Sequence, residues 1–358
     1  MTRPVRARID LQALQQNLHQ VRVSTPRSKV MAVVKANGYG HGLVAVAEAL
    51  HQADGFGVAR LEEALVLREA GIGKPVTLLE GFMDAAELEA AGRLGLEVVL
   101  HSDYQLALLE SAHVQASLRV WVKLDTGMHR LGFDPERLEA VIRRLRALPL
   151  VQQPPGCLSH LACADERANP ATEDQHRRFE GALNDYPGER SLANSAGLLG
   201  WPDLHYDWVR PGIMLYGVSP FADALGPGLG LRPAMTLETR IIGIRELRKG
   251  DAIGYGGSWV CPEDMCVGVA AIGYGDGYPR HAAAGTPVLI QGRRVTLVGR
   301  VSMDMITLDL RGHDAVREGD RVVLWGEGLP VEEVAAAADT IGYELLTGIT
   351  GRVQLEYD

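Results

Sequence analysis

The chain has 358 residues, 46% of them hydrophobic, and a formal net charge of −9. That length accommodates one large domain and a smaller one, with ordinary apolar material for a core. The negative balance argues against nucleic acid or an anionic membrane surface as partner, and no apolar stretch approaches the roughly 20 residues of a membrane-spanning helix.

In chain order, the opening from Met1 to Asp10 carries Arg3, Arg6 and Arg8 without the apolar run of a secretory signal. A cytoplasmic protein is expected. Asp10 followed by Leu11, Leu14, Leu18 and Val21 predicts a capped amphipathic helix. An alternation follows. Strand-like runs at Val30–Val34, Gly55–Ala59, Val76–Glu80, Glu97–Leu100, Arg119–Leu124, Gly156–His160, Ser191–Asn194 and Trp208–Arg210 are separated by helix-sized segments. The runs are short and mostly unbroken in apolar character, as strands buried on both faces require. About eight such units match a parallel (β/α)8 TIM-like barrel, spanning 11–220. A doubly wound open sheet is the competitor, because counting strands does not establish closure.

A Gly/Pro-rich stretch, Phe221–Leu231, reads as a linker. Beyond it, short alternating segments separated by Gly-rich turns predict a mainly antiparallel β domain over 221–358: Leu237–Ile244, Cys266–Ile272, Val288–Ile290, Arg294–Leu297, Ile306–Leu310 and Arg321–Leu324. One helix is expected over Val331–Thr340. The strand-like Val5–Ile9, within the N-terminal segment 1–10, is expected to pair back into this domain. The four cysteines include Cys157 and Cys163, which flank His160. No second ligand pair has zinc-like spacing, so no metal is expected.

Chemistry-bearing residues cluster where barrel strands end. Val34-Lys35-Ala-Asn-Gly-Tyr39-Gly-His-Gly42 runs from a strand through a lysine into a glycine-rich turn. A lysine at such a position, partly desolvated by apolar neighbours, is suited to Schiff-base formation. The glycines do not form a dinucleotide fingerprint, since position 43 is leucine. Lys123-Leu-Asp125-Thr-Gly-Met-His-Arg130 follows another strand, and Lys123 with Asp125 alone reads equally as a surface ion pair. His160, Asn194-Ser195 and Arg210-Pro-Gly212-Ile213 follow three more strands, and the second domain holds Gly254-Tyr255-Gly, Ser302-Met303-Asp304 and Gly342-Tyr343.

Taken together and in this order, these motifs resemble those of the alanine racemases, a fold-type III pyridoxal-phosphate family, over almost the whole chain. The resemblance implies that Lys35 binds pyridoxal 5'-phosphate covalently and that Tyr39, Ser195, Gly212 and Ile213 hold its phosphate, with Asn194 alongside. It implies His160 against the ring, Arg210 at the ring nitrogen, and Arg130 toward the ring oxygen and the substrate carboxylate. Lys123 matches a position that family members carbamylate. Tyr255 resembles a second base, reaching the site of the other subunit in a homodimer, with Tyr343 as a gate and Met303 and Asp304 near substrate. Racemisation requires a proton removed on one face of Cα and delivered on the other, which one base cannot easily do. The implied product, D-alanine, is a peptidoglycan precursor. Two alternatives stay open. One is a broader-specificity amino-acid racemase on the same scaffold. The other is a pyridoxal-phosphate-binding protein without turnover, though such barrels lack a second domain.

Overall fold

The computed structural model describes residues 5–112 and 117–358. Residues 1–4 of the expected N-terminal segment, Arg3 among them, lie outside the described residues. After strand β1 (Arg6–Ile9), Asp10 caps the helix Leu11–Ser24, its carboxylate accepting from the Ala13 amide at 2.9 Å. This satisfies one of the orphan donors of the first turn.

The apolar runs become eight parallel strands: β2 (Lys29–Val33), β3 (Gly55–Val58), β4 (Val76–Leu78), β5 (Glu97–Leu100), β6 (Arg119–Lys123), β7 (Gly156–Leu158), β8 (Arg190–Ser191) and β9 (Trp208–Val209). Each pairs with the next, and β9 returns to β2 through Lys29 with Trp208 and Val30 with Val209. The sheet is a closed barrel, which excludes the open doubly wound alternative.

Side chains fill the barrel rather than leaving a pore. Met31, Val99, Trp121, Leu158 and Trp208 form one buried cluster, with the two indoles edge to face at 6.1 Å. Gly156 is required there, because a Cβ would stand 2.4 Å from the Trp121 ring. Below this layer the N-terminal strand ends carry charge. Trp121 donates to Glu97 at 2.8 Å, Trp208 donates to Glu189 at 2.8 Å, and Arg119 pairs with both carboxylates. That end is sealed by its own ion pairs. The opposite, C-terminal end is left for a ligand.

The second sheet comprises β10 (Met235–Leu247), the short pair β11 (Ala252–Ile253) and β12 (Trp259–Val260), then β13 (Met265–Ala270), β14 (Pro287–Ile290), β15 (Arg293–Val298), β16 (Ile306–Asp309), β17 (Arg321–Trp325) and β18 (Gln354–Tyr357). All but β11 and β12 join one sheet with β1, which lies antiparallel to β10 and parallel to β18. The helix expected over Val331–Thr340 forms over Val331–Ala337, and a second helix that was not expected follows at Gly342–Thr347. The chain turns at Asp339, whose φ of 52° lies in the left-handed region that no α-helix continues through. The turn brings Tyr343 onto the barrel mouth.

Candidate active site

At the C-terminal end of the barrel lies a cavity of about 580 Å³, a size suited to a small cofactor with its substrate. Its walls come from the ends of five strands and from the second domain: Lys35 and Tyr39 after β2, Lys123 and Arg130 at and after β6, His160 after β7, Asn194 and Ser195 after β8, Arg210, Gly212 and Ile213 after β9, and Tyr343. Glu80 and His101, which follow β4 and β5, also line it. Sequence reasoning passed over these two. Their only signal is their place one or two residues beyond a barrel strand.

The turn after β2 is left-handed. Ala36, Asn37, Gly38 and Tyr39 have φ between 51° and 62°. Each L-residue there costs about 1–2 kcal/mol, so the conformation persists only where the surroundings hold it. Several bonds do so. Ala36 N donates to the Glu63 carboxylate at 2.6 Å, Gly38 N to Val34 O at 2.8 Å, and Leu43 N to the Asn37 side-chain oxygen at 3.0 Å. A right-handed turn would not leave Lys35 and Tyr39 facing the same cavity. Lys35 itself is exposed in the single chain, not shielded by apolar neighbours as its sequence context predicts. It lines the cavity together with Lys123, Arg130 and Arg210 rather than entering the barrel core.

Tyr39 is buried, and burial raises its hydroxyl well above the ordinary phenol range. Its hydroxyl lies beside Gly212, where a Cβ would stand only 2.5 Å away. The Gly212 amide donates to Ser195 Oγ at 2.9 Å, and Met214 N lies 3.4 Å from the same oxygen. A phenol, a hydroxyl and backbone amides thus converge at the start of the short helix Ser195–Gly200, an arrangement fit for a phosphate. Asn194 contributes less directly. Its side-chain oxygen caps that helix, accepting from Gly197 N at 2.9 Å.

Opposite lies a basic group of Lys35, Lys123, Arg130 and Arg210. Arg210 is 5% exposed, and burial lowers its pKa to about 10. It donates to Ser191 Oγ and to the carbonyls of Ser159 and Leu192. These contacts fix its guanidinium plane. Lys123 is 8% exposed and is pushed down to about 8 by burial and then by Arg130, Arg210 and Lys35. The surface-pair alternative for Lys123 and Asp125 fails on this geometry. Lys123 is buried, and Asp125 accepts from the amides of Gly127 at 3.1 Å and His129 at 2.9 Å. Burial, then the cations Arg210, Lys123, Arg130 and Lys35, holds His160 well below its ordinary pKa. A neutral imidazole and a cationic wall are ready for an anionic ligand.

Three sequence candidates stand apart. Tyr255, between β11 and β12, is 70% exposed, and Met303 is 52% exposed. Asp304 pairs with Arg352 at 2.7 Å. None of the three lines the chain's own cavity.

The comparisons agree with this fold. Residues 9–220 match the model of the alanine racemase N-terminal domain, and residues 234–357 that of the alanine racemase C-terminal domain. Alanine racemase of Nitrosococcus oceani is 58% identical over 346 residues, 96% of this chain and 97% of that protein. That of Shewanella sediminis is 54% identical over 353 residues, 99% of each chain. The crystal structure of biosynthetic alanine racemase from Pseudomonas aeruginosa superposes with a TM-score of 0.97 at 48% identity, covering 100% of both chains. With both domains matched by the family models and relatives of 48–58% identity covering nearly all of its length, the chain belongs to the alanine racemase family.

Proposed function

We propose that the chain interconverts L-alanine and D-alanine as a cytoplasmic, pyridoxal-phosphate-dependent homodimer. In this reading 11–220 is the catalytic barrel, and 221–358, joined by the N-terminal strand, completes the partner's site. One observation carries it: a single cavity joins an amine, Lys35, to a phosphate cradle at Tyr39, Ser195 and Gly212 and to the fixed cation Arg210. A phosphorylated aldehyde of small ring size fits that donor set. The glycine under the Tyr39 hydroxyl leaves room for phosphate oxygens, and the basic wall balances their charge.

When bound, the cofactor supplies an electron sink that acidifies the Cα–H of an attached amino acid. The rest falls to the protein. Lys35 would hold the cofactor through its amine, and the same amine would move a proton at one face of Cα. Arg130 binds the substrate carboxylate through a rigid fork of donors, and a carbamylated Lys123 would orient that guanidinium. Arg210 would set a fixed cation toward the ring nitrogen, disfavouring its protonation and so limiting side reactions. Neutral His160 packs against the ring without adding charge.

The opposite face of Cα needs a second base, and among the described residues Tyr255 does not line the chain's own cavity. The partner subunit's Tyr255 meets that need, with Met303 and Asp304 carried on the same domain. Tyr255, Tyr274, Met303 and Met305 are large apolar side chains exposed together on the second domain, a surface suited to burial against another subunit. Tyr343 narrows the mouth and favours a methyl side chain by excluding larger ones. Among the described residues no helix is long and apolar enough to cross a membrane.

The test is turnover of L-alanine in heavy water, read by chiral analysis and deuterium at Cα. D-alanine carrying deuterium, lost in Lys35→Ala, is expected. Turnover of L-lysine or L-arginine alone would replace this reading with a broader-specificity racemase. Retained cofactor without exchange on any amino acid would leave a non-catalytic binder.

A further inference from the structure

His41 is wholly buried, next to the left-handed turn but outside the cavity. Its Nδ1 lies 2.8 Å from the Tyr39 carbonyl oxygen. A carbonyl only accepts, so Nδ1 carries the hydrogen and donates it. Nε2 is then left with a bare lone pair, buried and without a hydrogen-bond partner among the described residues. An apolar ring of the same size would avoid that unmet acceptor, which is costly in the interior. A histidine that uses one nitrogen and strands the other is there for the nitrogen it uses.

A ring stack reinforces the same link. His41 packs on Tyr216 at 4.7 Å between centroids, and Tyr216 stacks on Tyr39 at 4.6 Å with 23° between planes. The Tyr216 hydroxyl is itself fixed, donating to Val33 O at 3.1 Å. Tyr39 is thus held twice, at its carbonyl by His41 and on its ring face by Tyr216. Its φ of 51° is strained for a tyrosine, so without such constraints the residue would relax toward a right-handed conformation. That would withdraw the hydroxyl from Gly212 and Ser195.

We propose that His41 is a positioning residue, whose Nδ1–H bond to the Tyr39 carbonyl holds the Tyr39 hydroxyl at the phosphate cradle and so sets how tightly the cofactor is retained. The inference rests on the reading of Tyr39 as a phosphate contact.

The test follows loss of pyridoxal phosphate from full-length holoenzyme after dilution, by absorbance, together with the phosphorus NMR resonance of the bound phosphate. His41→Asn puts an amide N–H near the place of Nδ1, whereas His41→Gln displaces the donor and His41→Phe keeps the ring without it. The Gln and Phe variants are expected to lose cofactor several-fold to about tenfold faster, with a shifted phosphorus resonance, and the Asn variant to stay close to wild type. If His41→Phe does not fold, the Asn and Gln pair decides. Equal losses in that pair would mean His41 only fills space, and wild-type retention in both would mean it positions nothing. Tyr39→Phe separates the two levels. Rapid cofactor loss in Tyr39→Phe beside normal retention in His41→Gln would sink the role of His41 alone. Normal retention in Tyr39→Phe would remove the phosphate contact and this proposal with it.

Discussion

At pH 7 the Lys123 ammonium sits 8% exposed, and burial with the cations Arg130, Arg210 and Lys35 pushes its pKa from 10.5 down to about 8. The folded state therefore binds fewer protons than the unfolded chain between those values, and stability rises with pH across that window. Below about pH 8 both states are protonated and the full burial penalty, about 3 kcal/mol, weighs on the fold. Lys123→Met is accordingly expected to be more stable than wild type at pH 7, by about 1–3 kcal/mol in urea unfolding. The gain should shrink toward zero by pH 10.5. Bicarbonate-free buffer is needed, since carbamylation would relieve the same penalty. A difference that does not change with pH would show that lost or gained packing, not charge, governs the substitution. His41 acts with the same sign over a more acidic window. Burial lowers it from 6.5 to about 4, so its contribution is intact above pH 6.5 and is lost as pH falls toward 4.

The site is assembled from the connections that follow the strands. Glycine matters most after β9, where the chain passes directly under the Tyr39 hydroxyl and a Cβ would stand 2.5 Å from that oxygen and 3.2 Å from the ring carbon bearing it. Gly212→Ala must displace the phenol or the backbone, at a cost of about 1–3 kcal/mol typical of overpacking. Because the same atoms form the phosphate cradle, cofactor affinity should fall by more than about tenfold while the chain still folds. Equilibrium dialysis against pyridoxal phosphate, run beside circular dichroism, measures both. Unchanged affinity would remove Gly212 and Tyr39 from the cradle. The β11–β12 connection makes a different case. It holds Tyr255, exposed and outside the chain's own cavity, on a short two-strand unit, a placement that the proposed homodimer would put to use.

For the whole molecule, the proposed function implies a site split between chains. Lys35→Ala removes the barrel's contribution and Tyr255→Ala removes the second domain's. In a mixed dimer one site carries both lesions and the other neither. Each variant alone should be nearly inactive, while subunit exchange between them should restore activity toward about a quarter of wild type on statistical mixing. Sedimentation would confirm the dimer, and fluorescence exchange between labelled subunits would confirm mixing. Mixing without recovery would show that each chain completes its own site.

Much of this architecture was legible in the residues. The barrel strands follow from short apolar runs and the first helix from its Asp10 cap, because burial on both faces and end-capping leave local marks. The closure of β9 on β2 was not, since pairing across a barrel leaves no local trace. Nor was the break after Ala337, which depends on how Gly342 packs against Val218 and Val331. Among site residues, Lys35, Lys123, His160 and Arg210 were visible as polar residues at strand ends. Glu80, His101 and Glu63 were not, because nothing in their immediate sequence distinguishes them from surface positions. By itself the sequence determined which segments are strands, which strand ends bear chemistry, and which family the chain resembles. Only the tertiary structure decided that the turn after Lys35 is left-handed, that Lys123 is buried among cations, and that Tyr255 lies exposed outside its own cavity. Backbone handedness, burial and direction depend on contacts between residues far apart in the chain, and no local pattern encodes them.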